Sequence, residues 1–317
     1  MHFINLIFSA SGIFFVITLS PLAFQIKNDK LQNMKITVLA ENTLSEKISQ
    51  PLKEKLKTEH GLSLFIETEN HKILFDMGQT NIFIENAKHL EIDLENVDFA
   101  ILSHGHYDHG GLPSSESQLF GVSGFLHLNK SAPIFLQETA FSENYNASKK
   151  FIGLDKSLLE NPDFQKRKVF IQDEKVIKEN LKLISCNNFK KIVPTNTDGL
   201  TQLKDGIFVP EDFSHEHYLL IEENHKKILI SGCSHKGILN ITEWFKPDIL
   251  IGGFHLKSFD VENPADKEKL ISLGEKLASY NSTFYTCHCT GLPQFDLLKS
   301  VMNEKLFYLA TGDKVIL

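Results

Sequence analysis

From Met34 onward, apolar runs of strand length alternate with amphipathic stretches of helical spacing. Residues 35–40 and 62–68 alternate or run apolar with β-branched side chains. The run 72–75 follows a turn at Glu69-Asn70-His71, which predicts a hairpin. The polar, Lys-rich stretch 45–60 reads as a mobile loop at the mouth of a site. Ile82, Ile84, Ala87 and Leu90 recur at helical spacing and predict a helix over 81–90. The apolar run 99–102 is a buried strand, and 132–136 is another. The rest of 112–180 lacks a clear period and reads as irregular connections. Phe141, Tyr145 and Phe151 lie there, placed either to meet the flat rings of a substrate or to pack the segment onto the body. Farther on, 217–222 and 227–231 form a hairpin-like pair and 236–244 a helix. A buried strand at 248–251, a charged amphipathic helix at 264–280 and a strand at 283–286 follow.

The first 33 residues break this pattern. Residues 3–24 are apolar over a length that can span a bilayer. No Lys or Arg precedes them, whereas Lys27 and Lys30 follow, and the positive-inside rule would keep that side in the cytoplasm. The chain therefore divides into an apolar extension, 1–33, and a catalytic domain, 34–317. The extension reads as a membrane anchor or uncleaved signal, as a misassigned start ahead of Met34, or as a cleaved signal. The expected location is cytoplasmic, or anchored with the catalytic domain facing the cytoplasm, with export left open. At 317 residues and 42% hydrophobic the chain can bury a large core, and its net charge of −7 argues against a general nucleic-acid binder. Cys186, Cys233, Cys287 and Cys289 have no zinc-ribbon spacing and are expected to be free thiols.

Candidate chemistry concentrates at Leu102-Ser103-His104-Gly105-His106-Tyr107-Asp108-His109-Gly110-Gly111, where three imidazoles and a carboxylate fall within six residues. Neutral imidazoles and an ionised carboxylate are ligands for a divalent ion, and glycines let the backbone turn tightly enough to aim them inward. His104, His106, Asp108 and His109 are thus candidate ligands for one or two divalent ions, with zinc, manganese and iron all suited. His235 lies just beyond a strand end, as this loop does, so it can join His104 and His106 in a three-His site. The helix after it would add amide donors where a phosphate could sit. His255 and His288 repeat the pattern of a strand followed by a His.

The His-x-His-x-Asp-His run resembles the signature of the metallo-β-lactamase superfamily. The stretches 34–43, 73–78, 231–240, 252–256 and 288–291 look like its branch named after 7,8-dihydropterin-6-methyl-4-(β-D-ribofuranosyl)aminobenzene-5′-phosphate synthase. The resemblance runs from Met34 to the C-terminus. It implies an αββα sandwich of two mixed sheets with helices on the outer faces and metals at one edge. Asp76 would support the metal loop, and His288 would be the final ligand. His255 would then contact substrate or transfer a proton, with the reverse assignment open. Asp108 would bind the second metal and also handle a proton. Hydrolases of the superfamily usually have Gly-Asp where this chain has Gly232-Cys233, so Cys233 would bridge two metals, ligate one, or only pack. Glu216 stands where a ligand or support residue could fall, although an exposed turn is the simpler reading.

The implied activity is metal-dependent chemistry on a small phosphorylated, ring-containing molecule. If the branch name applies, a dihydropterin methyl diphosphate loses diphosphate and joins a ribofuranosyl-aminobenzene phosphate. The alternative is hydrolysis of a phosphate ester or related bond, and a third reading is a metal-free binding or carrier protein. Expected partners are the small-molecule substrate and, through residues 3–24, a membrane; no nucleic acid is expected.

Overall fold

The computed structural model describes residues 34–115 and 118–317, so the readings placed on residues 1–33 lie outside the described residues. Within them, two seven-stranded sheets face each other. In spatial order the first contains Lys314–Ile316, Lys35–Ala40, Ser63–Glu67, Lys72–Phe75, Phe99–Ile101, Ile134–Gln137 and Lys168–Ile171. The second contains Leu306–Tyr308, Thr283–Thr286, Ile249–Ile251, Lys226–Ile230, Tyr218–Glu223, Leu181–Ile184 and Glu174–Lys178. Both are mixed, as expected of the αββα sandwich.

Alternation along the strands explains the layers. Phe99 and Ile101 face the core between the sheets, while Ala100 faces outward toward the first sheet's helices. Ile249 and Ile251 enter the same inter-sheet core, and Leu250 packs with Leu270, Leu277 and Leu298 of the outer helices. These strands are apolar throughout because both their faces are covered. Helices Ile82–His89 and Gly121–Leu128 pack outside the first sheet. Ile238–Phe245, Pro264–Ala278 and Leu292–Met302 pack outside the second.

Parallel pairing places the site. Lys72–Phe75, Phe99–Ile101 and Ile134–Gln137 run parallel in the first sheet. Lys226–Ile230, Ile249–Ile251 and Thr283–Thr286 run parallel in the second. The carboxyl ends of parallel strands open into crevices that bind ligands. Those ends lead into Asp76, His104, His235, His255 and His288.

Two expectations need correction. The stretch 45–60 is no bare loop, because it holds the helix Gln50–Lys53 and buries Ser45, Leu56 and Glu59. Segment 112–180 carries the helix Gly121–Leu128, obscured in sequence by Gly121 and Gly124, and the helix Pro162–Arg167, capped by Asn161. Its aromatic side chains pack together: Phe141 lies edge-on to Phe164, and Tyr145 meets Phe151 and Phe208. Among the described residues no helix is long and apolar enough to cross a membrane.

Candidate metal centre

Where the strand Phe99–Ile101 ends, the next residues are fixed by the buried carboxylate of Asp76. Ser103 donates to it through both its amide and its hydroxyl, each at 2.7 Å. His109 donates through Nδ1, also at 2.7 Å. The spent Ser103 hydroxyl can then accept from His104 Nδ1 at 2.9 Å. Gly105 is required here, since a Cβ would stand 2.1 Å from the Ala140 carbonyl oxygen. Its amide donates to His215 Nδ1 at 3.0 Å, so His215 carries its proton on Nε2 and gives it to Glu211 at 2.6 Å. Glu211 Oε1 also accepts from His106 Nε2 at 2.9 Å.

The second sheet contributes in the same way. His235 presents its amide to Glu216 Oε1 at 2.7 Å, and Lys236 N and Tyr218 OH donate to Oε2 at 3.0 and 2.6 Å. Glu216 is therefore buried, not an exposed turn residue, and its carboxylate is occupied in support. It also takes the His235 and Lys236 amides just ahead of the helix Ile238–Phe245, so these two are not available to a phosphate. His288 Nδ1 donates to Asn42 Oδ1 at 2.9 Å, and the His288 amide donates to Glu41 at 2.7 Å. Asp76, Ser234, His255 and His288 all have φ between 53° and 59°, a left-handed conformation costly for non-glycine residues that concentrates at functional sites.

Each of His104, His106, His109 and His288 thus has one ring nitrogen committed outward. The uncommitted nitrogens are the ones left to ligate a metal, with outer partners setting the tautomer. His104 Nε2 faces His235 Nε2 at 3.3 Å, and His288 Nε2 lies 3.3 Å from Asp108 Oδ2. Donors about 2.0–2.1 Å from one tetrahedral ion stand about 3.3–3.4 Å apart. The residues therefore fit a divalent ion on the spacing and chemistry of their donors. Ligand atoms of His104, Cys233 and His235 lie within 4.8 Å of one another, as do those of His109, Cys233 and His288, and of His104, His106 and Asp108. All six proposed ligands thus meet at one edge, with Cys233 Sγ common to two sets and 3.2 Å from His109 Nε2.

His255 lies beside this group, its ring 4.2 Å from that of His235 and its Nε2 3.2 Å from Asp198 Oδ2. With Cys289 and Cys233 it forms another compact donor group. The four cysteines are free and buried. Sequence reasoning did not single out Glu211, Asn42 or Asp198, because only the fold brings them to the loop. Glu211, four residues before His215, carried the one local hint.

Burial, then the crowd of neighbouring imidazoles, depresses His104 and His235 well below the ordinary histidine range. Desolvation opposes the ionised form of Asp108, but His109, His288 and His60 outweigh it and hold the carboxyl well below its usual value. Burial similarly opposes Glu211, whose partners His106 and His215 bring it down to about 2. Burial lowers Lys236 to about 8, its ammonium donating to the Ser185 and Glu216 carbonyls. Burial opposes a charge on His106 and His288 as well, but Glu211 raises the first and Asp108 the second, so at neutral pH His104 and His235 are neutral and Asp108 and Glu211 ionised, while those two rings lean toward their protonated form. A cavity of about 410 Å³ opens onto them, lined by Asp108, Cys233, His235 and His255 and, at other points, by His60 and Lys257.

The family model described as "Metallo-beta-lactamase superfamily" matches residues 56–180. A 7,8-dihydropterin-6-methyl-4-(beta-D-ribofuranosyl)-aminobenzene-5′-phosphate synthase of Methanocaldococcus jannaschii is 30% identical over 305 residues, covering 89% of this chain and 96% of its own length. An uncharacterised protein of the same organism is 28% identical over 276 residues, covering 84% of this chain and 95% of its own. Among solved structures, a metal-dependent hydrolase of the β-lactamase superfamily superposes with a TM-score of 0.66 at 26% identity, covering 90% of this chain and 99% of that one.

Proposed function

The chain belongs to the metallo-β-lactamase superfamily, and from that premise we propose that it is a metal-dependent enzyme acting on a small phosphorylated, ring-containing substrate by the synthase reaction of its archaeal relative. In this reading a dihydropterin methyl diphosphate loses diphosphate and is joined to a ribofuranosyl-aminobenzene phosphate. The observation that carries it is the convergence of His104, His106, Asp108, His109, His235 and His288 at one sheet edge, beside a cavity that His106, Asp108 and His235 line, in a chain 30% identical to that synthase over nearly its whole length.

His104, His106 and His235 would hold one ion, and Asp108, His109 and His288 a second, with Cys233 placed between. When bound, such ions supply Lewis-acid stabilisation of negative charge developing on phosphate oxygens. The chain's own groups do the rest. Glu211, Asp76 and Asn42 hold the ligand rings in register. Asp108, partly open to the cavity, presents an ionised carboxylate to it. His255, backed by Asp198, contacts the substrate or carries a proton at the cavity wall. Lys257 offers an exposed cation to an anionic group on the substrate.

Hydrolysis of a phosphate ester is the second reading, favoured by the similarity to a metal-dependent hydrolase. Product analysis separates the two. The metal-loaded protein is expected to consume both organic substrates together and release diphosphate. Turnover of a phosphate ester with water alone, and none with the pair, would replace the synthase reading by the hydrolase one.

A further inference from the structure

His60 belongs to no part of the metal signature, yet it reaches the same carboxylate. Its Nε2 lies 3.3 Å from Asp108 Oδ2, matching the distance from His288 Nε2 to that oxygen. The rings of His60 and His288 are 5.0 Å apart, and ligand atoms of His60, Asp108 and His288 lie within 4.8 Å of one another. A charge-assisted N–H to carboxylate bond closes to about 2.7–2.9 Å, whereas two donors sharing a tetrahedral ion stand about 3.3–3.4 Å apart. The observed separations therefore have the spacing of co-ligands.

The backbone holds His60 in place from both sides. Leu62 N donates to the Asp108 carbonyl at 3.2 Å, and Glu59 N to the Glu41 carbonyl at 3.2 Å. The buried Glu59 carboxylate takes the hydroxyl of Thr80 and the amides of Gln79 and Thr80. Between these anchors, Gly61 allows the close approach, since a Cβ there would stand 2.8 Å from the Asp108 carbonyl oxygen. Asn42 Nδ2 lies 3.5 Å from His60 Nδ1, too far to dictate the ring's tautomer. Nε2 is thus free to present a lone pair to an ion.

We propose that His60 is a further protein ligand of the second metal position, joining Asp108, His109 and His288 from the segment between the first two strands. This rests on the metalloenzyme reading and adds to it a donor outside the signature. It makes ion binding at that position dependent on the segment that walls the cavity.

The test is equilibrium titration of the metal-free protein with cobalt(II), following visible absorption and competition with a chelator, for the wild-type chain, His60→Ala and His60→Gln. His60 is 43% exposed, so neither substitution opens the core, and circular dichroism checks that both fold. Loss of even an outer-shell partner costs about 10–100-fold in affinity. The weaker-bound equivalent is expected to lose at least that much in both variants, with a changed cobalt spectrum, while the tighter one keeps its affinity. Two equivalents bound with wild-type affinity and a superimposable spectrum in both variants would overturn the assignment of His60 alone. A wild-type chain that takes up no cobalt would overturn the metalloenzyme reading and this inference with it.

Discussion

His288 and His255 sit on neighbouring parallel strands of one sheet, each just past its strand end and each in a left-handed conformation, yet their surroundings differ. The His288 ring is buried, and Asn42 takes the proton of its Nδ1, which leaves Nε2 facing Asp108. That is the arrangement of a ligand with its outer partner. The His255 ring sits at the cavity wall with the Asp198 carboxylate 3.2 Å away. Burial works against its protonated form, but Asp198 and Cys289 outweigh that and raise it to about 10. A cationic ring suits a contact to an anionic substrate or a donated proton. His288→Ala is therefore expected to lose metal from one position, by about 10- to 100-fold in affinity or more. His255→Ala is expected to keep its metals and lose turnover by about 10²- to 10⁴-fold. Elemental analysis of dialysed protein beside steady-state rates checks both. Metal loss in His255→Ala with full retention in His288→Ala would invert the two roles.

At the scale of elements, the site depends on how closely two strand ends from different sheets cross. Gly232, just past the strand Lys226–Ile230, lies against Ser103 and His104, just past Phe99–Ile101. A Cβ at Gly232 would fall 2.1 Å from Ser103 Oγ and 3.1 Å from His104 Nδ1. Gly232→Ala must then push Ser103 off the Asp76 carboxylate and turn His104, or separate the strand ends. Overpacking of this kind costs about 1–3 kcal/mol. The variant is expected to fold with that loss in chemical denaturation and to bind metal more weakly at the three-His position. Unchanged stability and metal affinity would show that the crossing is looser than these distances imply. Much of this was legible in sequence, because strands covered on both faces are apolar runs and parallel strands deliver their ends to one edge. That His104, His235, His255 and His288 share one edge could be read for that reason, whereas the choice of His288 over His255 as a donor came from the superfamily resemblance. The supporting partners could not, since Glu211 reaches His106 across 105 positions and Asn42 reaches His288 across 246, and no local period records such contacts. The helix Gly121–Leu128 was hidden because two glycines lower its intrinsic preference, and tertiary packing of Val122, Phe125 and Leu126 overrides them.

For the molecule as a whole, the donors join two layers that otherwise meet through apolar side chains. His104, His106, Asp108 and His109 follow a strand of the first sheet, and His235 and His288 follow strands of the second. Among the described residues this edge holds buried nitrogens with no hydrogen-bond partner, including His235 Nδ1 and His288 Nε2. It also holds Cys233, whose thiol burial pushes well above its ordinary range. A bound cation would give His288 Nε2 a partner, draw the thiolate from Cys233 with release of a proton, and tie the sheets together at the end where the sandwich opens. Because the unfolded chain does not preassemble these ligands, binding is linked directly to folding. At free metal about a thousandfold above Kd, one site adds about 4 kcal/mol. For a domain of this size that corresponds to an upward shift in Tm on the order of 10 °C. Calorimetry of the metal-free and reloaded protein is expected to show such a shift, growing with free metal concentration, with the proton release visible in weakly buffered solution. The same experiment on His104→Ala should give a smaller shift, because one of the two clamps has lost its ligand. A Tm indifferent to metal in the wild-type chain would mean that the two sheet edges are not joined through these side chains.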